Sequence, residues 1–449
     1  MRKNRPYRRI RLTSVQLIVL FYLGAVIMAT TLLSLPFAHR GGMEWSFIDA
    51  LFTAVSAISV TGLTVVNTAE TFNEIGYFLL AFVLQFGGIG IMTLGTFIWL
   101  LVGKRIGLRE RQLIMTDQNL STLQGLVRLM IQILYLILII EAIGTVILGV
   151  YFLNYFQTAQ EAFIQGFFAA VSATTNGGFD ITGKSLHPFA ADYFVQFINI
   201  LLMILGAIGF PVLLEVKEYI TSKKGKYQFS LFTKITTATF FALVVVGTLL
   251  IILLESNLFY EDKKWHQVLF YSLFQSVTTR SGGLSTMDIN LFSEPTQLLM
   301  SALMFIGASP SSVGGGIRTT TFAIVILAIL SFAKGNQTIK VFKRELLSED
   351  VQKAFVVLSV AVMMFGTSVV VLMYTESAPL MTVIFEVASA FGTCGLSMGL
   401  TPDLSTPGKL LVIFLMFIGR VGILSFLFII RGKIVKETYR YPKEQVIIG

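Results

Sequence analysis

Apolar residues fall into stretches of two lengths along this chain. Long runs such as 75–102, 126–153, 234–254 and 408–430 are each sufficient to cross a hydrocarbon layer of about 30 Å as a helix. Between them lie segments with only roughly 10 to 14 apolar residues, too short to cross, which predicts helices that enter a membrane and turn back. Four of these short segments close alike, running through small side chains to a glycine. They are DALFTAVSAISVTG ending at Gly62, EAFIQGFFAAVSATTNGG at Gly178, WHQVLFYSLFQSVTTRSGG at Gly283 and VIFEVASAFGTCG at Gly395. The glycines recur roughly every 105 to 116 positions, an internal repeat.

Each repeat reads as a spanning helix, a half-membrane helix with a glycine-tipped return loop, and a second spanning helix. The predicted spans are 14–37 and 73–102, 126–153 and 192–219, 234–256 and an interrupted 296–333, then 354–374 and 408–430. The expected fold is an all-α multi-pass membrane protein with four tandem helix–pore-loop–helix repeats around one central pore. Eight spanning helices are joined by four re-entrant ones, in repeats 1–112, 113–226, 227–345 and 346–449. Ser46 followed by Asp49 has the capping-box pattern for the first short helix, and Glu161 is placed for a similar part in the second.

Composition agrees: hydrophobic residues make up 55% of the chain and charged residues 13%. Most of the 34 lysines and arginines fall in the N-terminal arm (Arg2, Lys3, Arg5, Arg8, Arg9, Arg11), the loops 104–111, 217–226 and 334–353, and the tail 431–443. The positive-inside rule makes that face, and both termini, cytoplasmic, so the re-entrant glycines enter from outside. The net charge of +9 therefore reports orientation rather than nucleic-acid binding. The apolar stretch after the basic arm exceeds a signal-peptide core, so it reads as the first span. A single cysteine, Cys394, leaves no disulfide or CxxC metal site, and His39, His187 and His266 form no histidine-rich centre.

Non-helical backbone at membrane depth is tolerated only where protein or a water-filled cavity surrounds it. Four glycine-tipped loops around one axis would supply a ring of carbonyls able to replace a cation's hydration shell, with the negative ends of four short helices aimed at it. Four ordinary buried turns are the plainer alternative. A second irregularity lies in the third repeat. As one helix the run 297–332 would be about 54 Å long at 1.5 Å per residue, nearly twice the hydrocarbon thickness. It is interrupted by Gly307-Ala308-Ser309-Pro310-Ser311-Ser312-Val313-Gly314-Gly315-Gly316, rich in breakers and hydroxyls.

These repeats, each with one glycine in place of a TVGYG signature, resemble the Trk/Ktr/HKT superfamily of potassium transporters over nearly the whole chain. The length and short termini are most similar to the membrane subunit of bacterial Ktr potassium-uptake systems. The resemblance implies a selectivity filter at Val60-Thr61-Gly62, Asn176-Gly177-Gly178, Ser281-Gly282-Gly283 and Thr393-Cys394-Gly395, with potassium held only there. Relatives with serine at the first filter glycine lean toward sodium, so Gly62 implies potassium. It further implies that Ser309 to Gly316 form an intramembrane gate loop, with a passive bend between packed helices as the alternative. A homodimer in a bacterial plasma membrane is expected, on a cytosolic nucleotide-binding ring that reads ATP or ADP. The chain itself would bind no cofactor and catalyse no reaction. The basic loops and tail would dock that ring or attract anionic lipid.

Arg420 sits near the middle of the last span, where a charge is costly and marks function. The resemblance places it beside the gate loop, opposing cation passage; pairing with Glu386 is the structural alternative. Arg318 would hold the loop or reach cytoplasmic water, Arg280 would lie behind the filter or in the outer vestibule, and Glu141 would pair with a neighbouring helix. Gly307-Ala308-Ser309 suggests a serine nucleophile, but no histidine lies at matching depth to activate it. No phosphate-binding GxxxxGKS follows a strand. A sodium- or proton-coupled carrier with broken helices is the remaining alternative.

Overall fold

The computed structural model describes residues 14–41, 46–90, 106–117, 125–222 and 227–430, with isolated positions at 93, 95, 439, 442, 444, 446 and 447. The basic arm, the end of the 73–102 run, most of the tail and parts of two basic loops lie outside the described residues.

Three kinds of helix alternate along the chain. The first set is α1 (Ser14–Leu33), the short α2 (Phe47–Ser59) and α3 (Glu74–Ile89), followed by α4 (Leu108–Asp117). The second is α5 (Leu126–Phe152), the short α6 (Ala159–Thr174) and the pair α7 (Tyr193–Ala207) and α8 (Phe210–Thr221). The third is α9 (Leu231–Glu255), the short α10 (Trp265–Thr278) and α11 (Glu294–Ile306) with α12 (Thr319–Ala333). A two-stranded hairpin, Lys340–Val341 with Arg344–Glu345, leads to α13 (Ser348–Thr375). The short α14 (Leu380–Gly392) and the pair α15 (Thr406–Val421) and α16 (Ile423–Ile430) complete the fourth set.

Among the described residues, α1, α5, α9 and α13 are long and apolar enough to cross a membrane, and no more than 39% of each apolar window is buried in the protein. Their exposed residues recur at helical spacing, as Ile139, Ile143, Val146 and Val150 do on α5, giving an outward stripe suited to lipid. The short helices start where expected. Ser46 accepts from the Asp49 amide at 3.1 Å and Thr158 from the Glu161 amide at 3.2 Å.

The second helix of each set departs from expectation. Hydropathy makes 73–102, 192–219 and 408–430 continuous spans, yet every second helix is broken, not the third alone. α3 stops at Gly90 (φ 95°), α7 and α8 meet at 103° across Gly209 (φ 103°), and α15 gives way to α16 at Gly422 (φ 87°). Each break sits on a glycine in a conformation that L side chains disfavour. Hydropathy does not register it, because the flanking residues stay apolar.

The buried residues form four clusters that link the sets in a circle. One joins the first and fourth sets (Phe52, Leu80, Val387, Leu415), one the first and second (Ile89, Ile114, Ile133, Phe210). The others join the second and third (Phe152, Met203, Phe240, Phe274) and the third and fourth (Met300, Met304, Phe385, Ala388). Glycine makes the short helices fit. A Cβ on Gly87 would lie 2.6 Å from the Ile58 carbonyl oxygen, and one on Gly206 or Gly419 would collide with the carbonyl oxygens of Thr174 or Phe391. The C-terminal ends of α2, α6 and α14 are thereby seated on the helices that break just beyond.

Candidate functional site

The four glycine-ended segments meet at the middle of this circle. A Cβ on Gly62 would lie 2.7 Å from the Gly177 oxygen and 2.8 Å from the Gly178 Cα, and one on Gly178 would lie 3.1 Å from the Gly283 Cα. A Cβ on Gly283 would strike the Cys394 oxygen, and one on Gly395 the Thr61 oxygen. The contacts run first to second to third to fourth and back to first, a closed ring with no room for side chains.

Backbone conformation repeats around it. The glycines have φ of 93°, 66°, 71° and 99°, and the residue two positions before each is left-handed too: Val60 at 58°, Asn176 at 53°, Ser281 at 78° and Thr393 at 46°. Left-handed backbone in a β-branched residue such as Val60 or Thr393 is strained, and strain of this kind concentrates at functional sites. Residue type gives no sign of it, since only Asn176 belongs to a type that favours this region.

The alternation turns amides backward. Ser56 accepts the Thr61 amide on its carbonyl at 2.8 Å and the Gly62 amide on its Oγ at 3.1 Å. Ser389 does the same for Cys394 at 2.8 Å and Gly395 at 3.0 Å. In the second and third segments the carbonyls of Ser172 and Thr278 accept the amides of Gly177 and Gly282, each at 2.7 Å. Among the described residues, the carbonyls of Thr61, Gly62, Gly177, Gly178, Gly282, Gly283, Cys394 and Gly395 accept no protein hydrogen bond. In the first and fourth segments both amides are therefore consumed behind the ring, and in the second and third segments one of the two, while the acceptors remain available. The C-terminal ends of α2, α6, α10 and α14 lie immediately before it and add negative potential. Ser281 Oγ donates to the Thr393 carbonyl at 2.5 Å, and the Cys394 thiol donates to the Thr278 carbonyl at 3.2 Å, fastening the fourth segment to the third.

The interruption between α11 and α12 packs directly against this ring. A Cβ on Gly314 would lie 2.6 Å from Ser281 Oγ, and one on Gly315 would lie 2.5 Å from Thr393 Oγ1. The loop is tied to the α7–α8 break: Ser309 and Val313 amides donate to Ala207 and Gly206 carbonyls at 3.1 and 3.3 Å, and the Phe210 amide to the Ser311 carbonyl at 2.8 Å. Within it, Ser312 Oγ donates to the Ser309 carbonyl at 2.6 Å, and Thr319 Oγ1 to Ser309 Oγ at 3.1 Å. Pro310, Ser311, Ser312 and Gly316 line a cavity of about 650 Å³ below.

Arg420 reaches this loop. Its guanidinium donates to the Val313 carbonyl and to the Gly87 carbonyl of α3, bridging the loop to another set. It does not pair with Glu386, because that buried carboxylate accepts instead from Ser397 Oγ at 2.9 Å and from Thr401 Oγ1. Arg318 donates to the Gly314 and Ser309 carbonyls, holding the loop upon itself. Arg280 is buried behind the ring and donates to Leu303 of α11. Glu141 accepts from Gln85 of the neighbouring α3 at 2.5 Å. Among the described residues no group of three metal-ligating side chains occurs.

Known proteins of similar sequence span the whole of this arrangement. The chain is 60% identical over 438 residues to the Ktr system potassium uptake protein D of Bacillus subtilis, covering 98% of each. It is 35% identical to the potassium/sodium uptake protein NtpJ of Enterococcus hirae, again over 98% of each. The crystal structure of the potassium transporter TrkH from Vibrio parahaemolyticus matches with a TM-score of 0.74 at 20% identity, covering 95% of this chain and 87% of that one, a likeness of fold. The family model described as TrkH, cation transport protein, matches residues 8–437. The chain belongs to the TrkH family of cation transport proteins, whose members are ion transporters and not enzymes.

Proposed function

We infer that this chain takes up potassium across the plasma membrane, down the ion's electrochemical gradient, through the ring at Gly62, Gly178, Gly283 and Gly395. The observation that carries this reading is the closed ring of left-handed backbone with amides of every segment tied back and its carbonyls available. A cation entering from outside exchanges water for carbonyl oxygens while the short helix ends offset its desolvation. The names of the two relatives supply the ion: potassium in both, with sodium as a second cargo in the less similar one. On this reading eight crossings leave both termini cytoplasmic, and the loop from Ser309 to Gly316, held by Arg420, is the gate. A homodimer resting on a cytosolic ring that reads ATP or ADP supplies the control, in keeping with a relative named as part of a Ktr system.

Uptake in cells lacking other potassium-uptake systems tests both parts. A side chain at Gly62 points toward the Gly177 oxygen, so Gly62→Ser is expected to lower the potassium-to-sodium flux ratio by about tenfold, or about 1.4 kcal/mol. The gate loop is a closed excursion: the Ala308 amide meets the Gly315 carbonyl at 3.1 Å, so its ends are already adjacent. Excising Ser309 to Gly315 is therefore expected to raise flux severalfold. An unaltered ratio in the first variant removes the filter assignment, and unaltered flux in the second removes the gate. The broken helices also suit a sodium- or proton-coupled carrier, which strict stoichiometric coupling in a flux assay would establish.

A further inference from the structure

Glu141 stands midway along α5 and is only 5% exposed. The helices α3, α6 and α7 that pack along α5 contain no lysine or arginine, and Arg128 of α5 itself lies roughly 20 Å away at 1.5 Å per residue. Arg111 of α4 and Lys217 of α8 belong to the elements packed at that same distant end. The neighbouring α6 adds to the cost of a charge. A Cβ on Gly149 would lie 2.7 Å from Phe163 Cδ1 and one on Gly144 would lie 3.2 Å from the Ala170 Cβ, an antiparallel register that brings Glu141 level with the last turn of α6. That end of a helix is negative. An ionised carboxylate here would be buried, uncompensated and repelled.

Its hydrogen bonds point the same way. Gln85 Nε2 of α3 donates to Glu141 Oε2 at 2.5 Å, and the two oxygens left over, Gln85 Oε1 and Glu141 Oε1, are buried with no donor among the described residues. Carboxylate and amide oxygens only accept, so neither serves the other while Glu141 is ionised. One proton on Glu141 completes both, because the acid then donates to Gln85 Oε1 while the amide donates back. The pair becomes a two-pronged, uncharged clasp between α3 and α5.

We propose that Glu141 is held as a neutral carboxylic acid that clasps Gln85 and so positions the end of α3 for Arg420. Gln85 precedes by two residues Gly87, whose carbonyl accepts from Arg420, and by three Gly88, where a Cβ would lie 2.7 Å from Thr175 Cγ2 beside the second ring segment. A clasp at this point fixes the acceptor on which the brace of the loop depends. Glu141 is therefore a positioning residue for the gate, acting through Gln85 and the backbone of α3. The inference rests on the gate reading for its consequence, though not for the bound proton.

The test uses the full chain. Infrared difference spectra of the detergent-purified protein at neutral pH, wild type against Glu141→Gln, are expected to show the carbonyl band of a protonated carboxyl. Carboxylate bands in its place overturn the proposal. Rubidium uptake at matched membrane abundance reads the positioning. Glu141→Leu neither donates nor accepts, so uptake is expected to rise about fivefold for the lost hydrogen bond. Glu141→Gln alone, and the exchange of Gln85→Glu with Glu141→Gln, rebuild a neutral clasp and should return uptake to the wild-type level. Uptake in Glu141→Gln that follows the leucine variant shows that charge was required and overturns the proposal, as does unaltered uptake in Glu141→Leu. Should the leucine variant fail to reach the membrane, Gln85→Leu severs the same clasp and is judged by the same criterion. Placed on Arg420→Gln, the leucine change should add nothing, because the contact it loosens is already gone; gains that add would make Glu141 a general packing residue and overturn the proposal. Arg420→Gln alone judges the gate reading separately.

Discussion

Replacing Gly283 with alanine is expected to lower potassium uptake by at least ~100-fold while the protein still reaches the membrane. Two costs combine. The residue's φ of 71° disfavours any Cβ by about 1–2 kcal/mol. That Cβ also collides with the Cys394 oxygen and lies 2.7 Å from the Gly178 Cα, both backbone atoms of other ring segments that cannot rotate away. Relief requires the ring to widen between its second, third and fourth segments, displacing the ring's available carbonyls. A loss of roughly 3 kcal/mol in transition-state stabilisation corresponds to the stated ~100-fold fall. Rubidium uptake at matched membrane abundance measures it, and uptake within threefold of wild type would show that the ring does not conduct. Because Gly282 is not left-handed, Gly282→Ala tests crowding without that strain. Its Cβ would meet the Met203 sulfur, a flexible neighbour, so a smaller loss is expected.

Arg420→Gln is expected to raise potassium flux about tenfold or more. The guanidinium fastens the loop at Val313 to α3 at Gly87, and hydrogen bonds from a charged group contribute about 1.5–3 kcal/mol each. Glutamine loses the charge and is too short to make both contacts, so the loop is released and a positive charge leaves the exit. Arg420→Lys separates the two effects, since it keeps the charge and cannot reproduce a two-carbonyl bridge. Flux in the lysine variant matching glutamine assigns the effect to bracing; flux matching wild type assigns it to charge. Flux at or below wild type in the glutamine variant would remove Arg420 from the gate.

The alternation of long and short helices is legible because a membrane sorts apolar segments by length, and a half-length apolar run is too short for a span and too apolar for a surface helix. The glycine ends are legible through repetition. What hydropathy does not reveal is backbone: Gly90, Gly209 and Gly422 break helices inside unbroken apolar runs, and Val60 and Thr393 are residue types that argue against the left-handed conformation they hold. Partners of buried charges are equally hidden. Arg420 and Glu386 each stand in an apolar stretch and invite pairing, yet each finds backbone or hydroxyl partners set by tertiary contacts. Hydroxyls at Ser56 and Ser389 look like helix-interior serines in sequence, and their service to the ring depends on where the chain turns afterward.

The circle closes between its oldest and newest parts. Lys409 pairs with Asp49 at 2.8 Å across 360 positions, Arg420 reaches Gly87 across 333, and Gly395 seats against Thr61. A chain emerging from the ribosome therefore carries three segments of the ring as an open arc, with acceptors facing no partner, until the fourth is made. Loop closure over such a distance costs only logarithmically more than over a short one, but it cannot begin before both ends exist. The closed ring then arrives only with the fourth set of helices. A protein truncated before Leu380 would hold three segments of the ring and leave it open between Gly283 and Thr61.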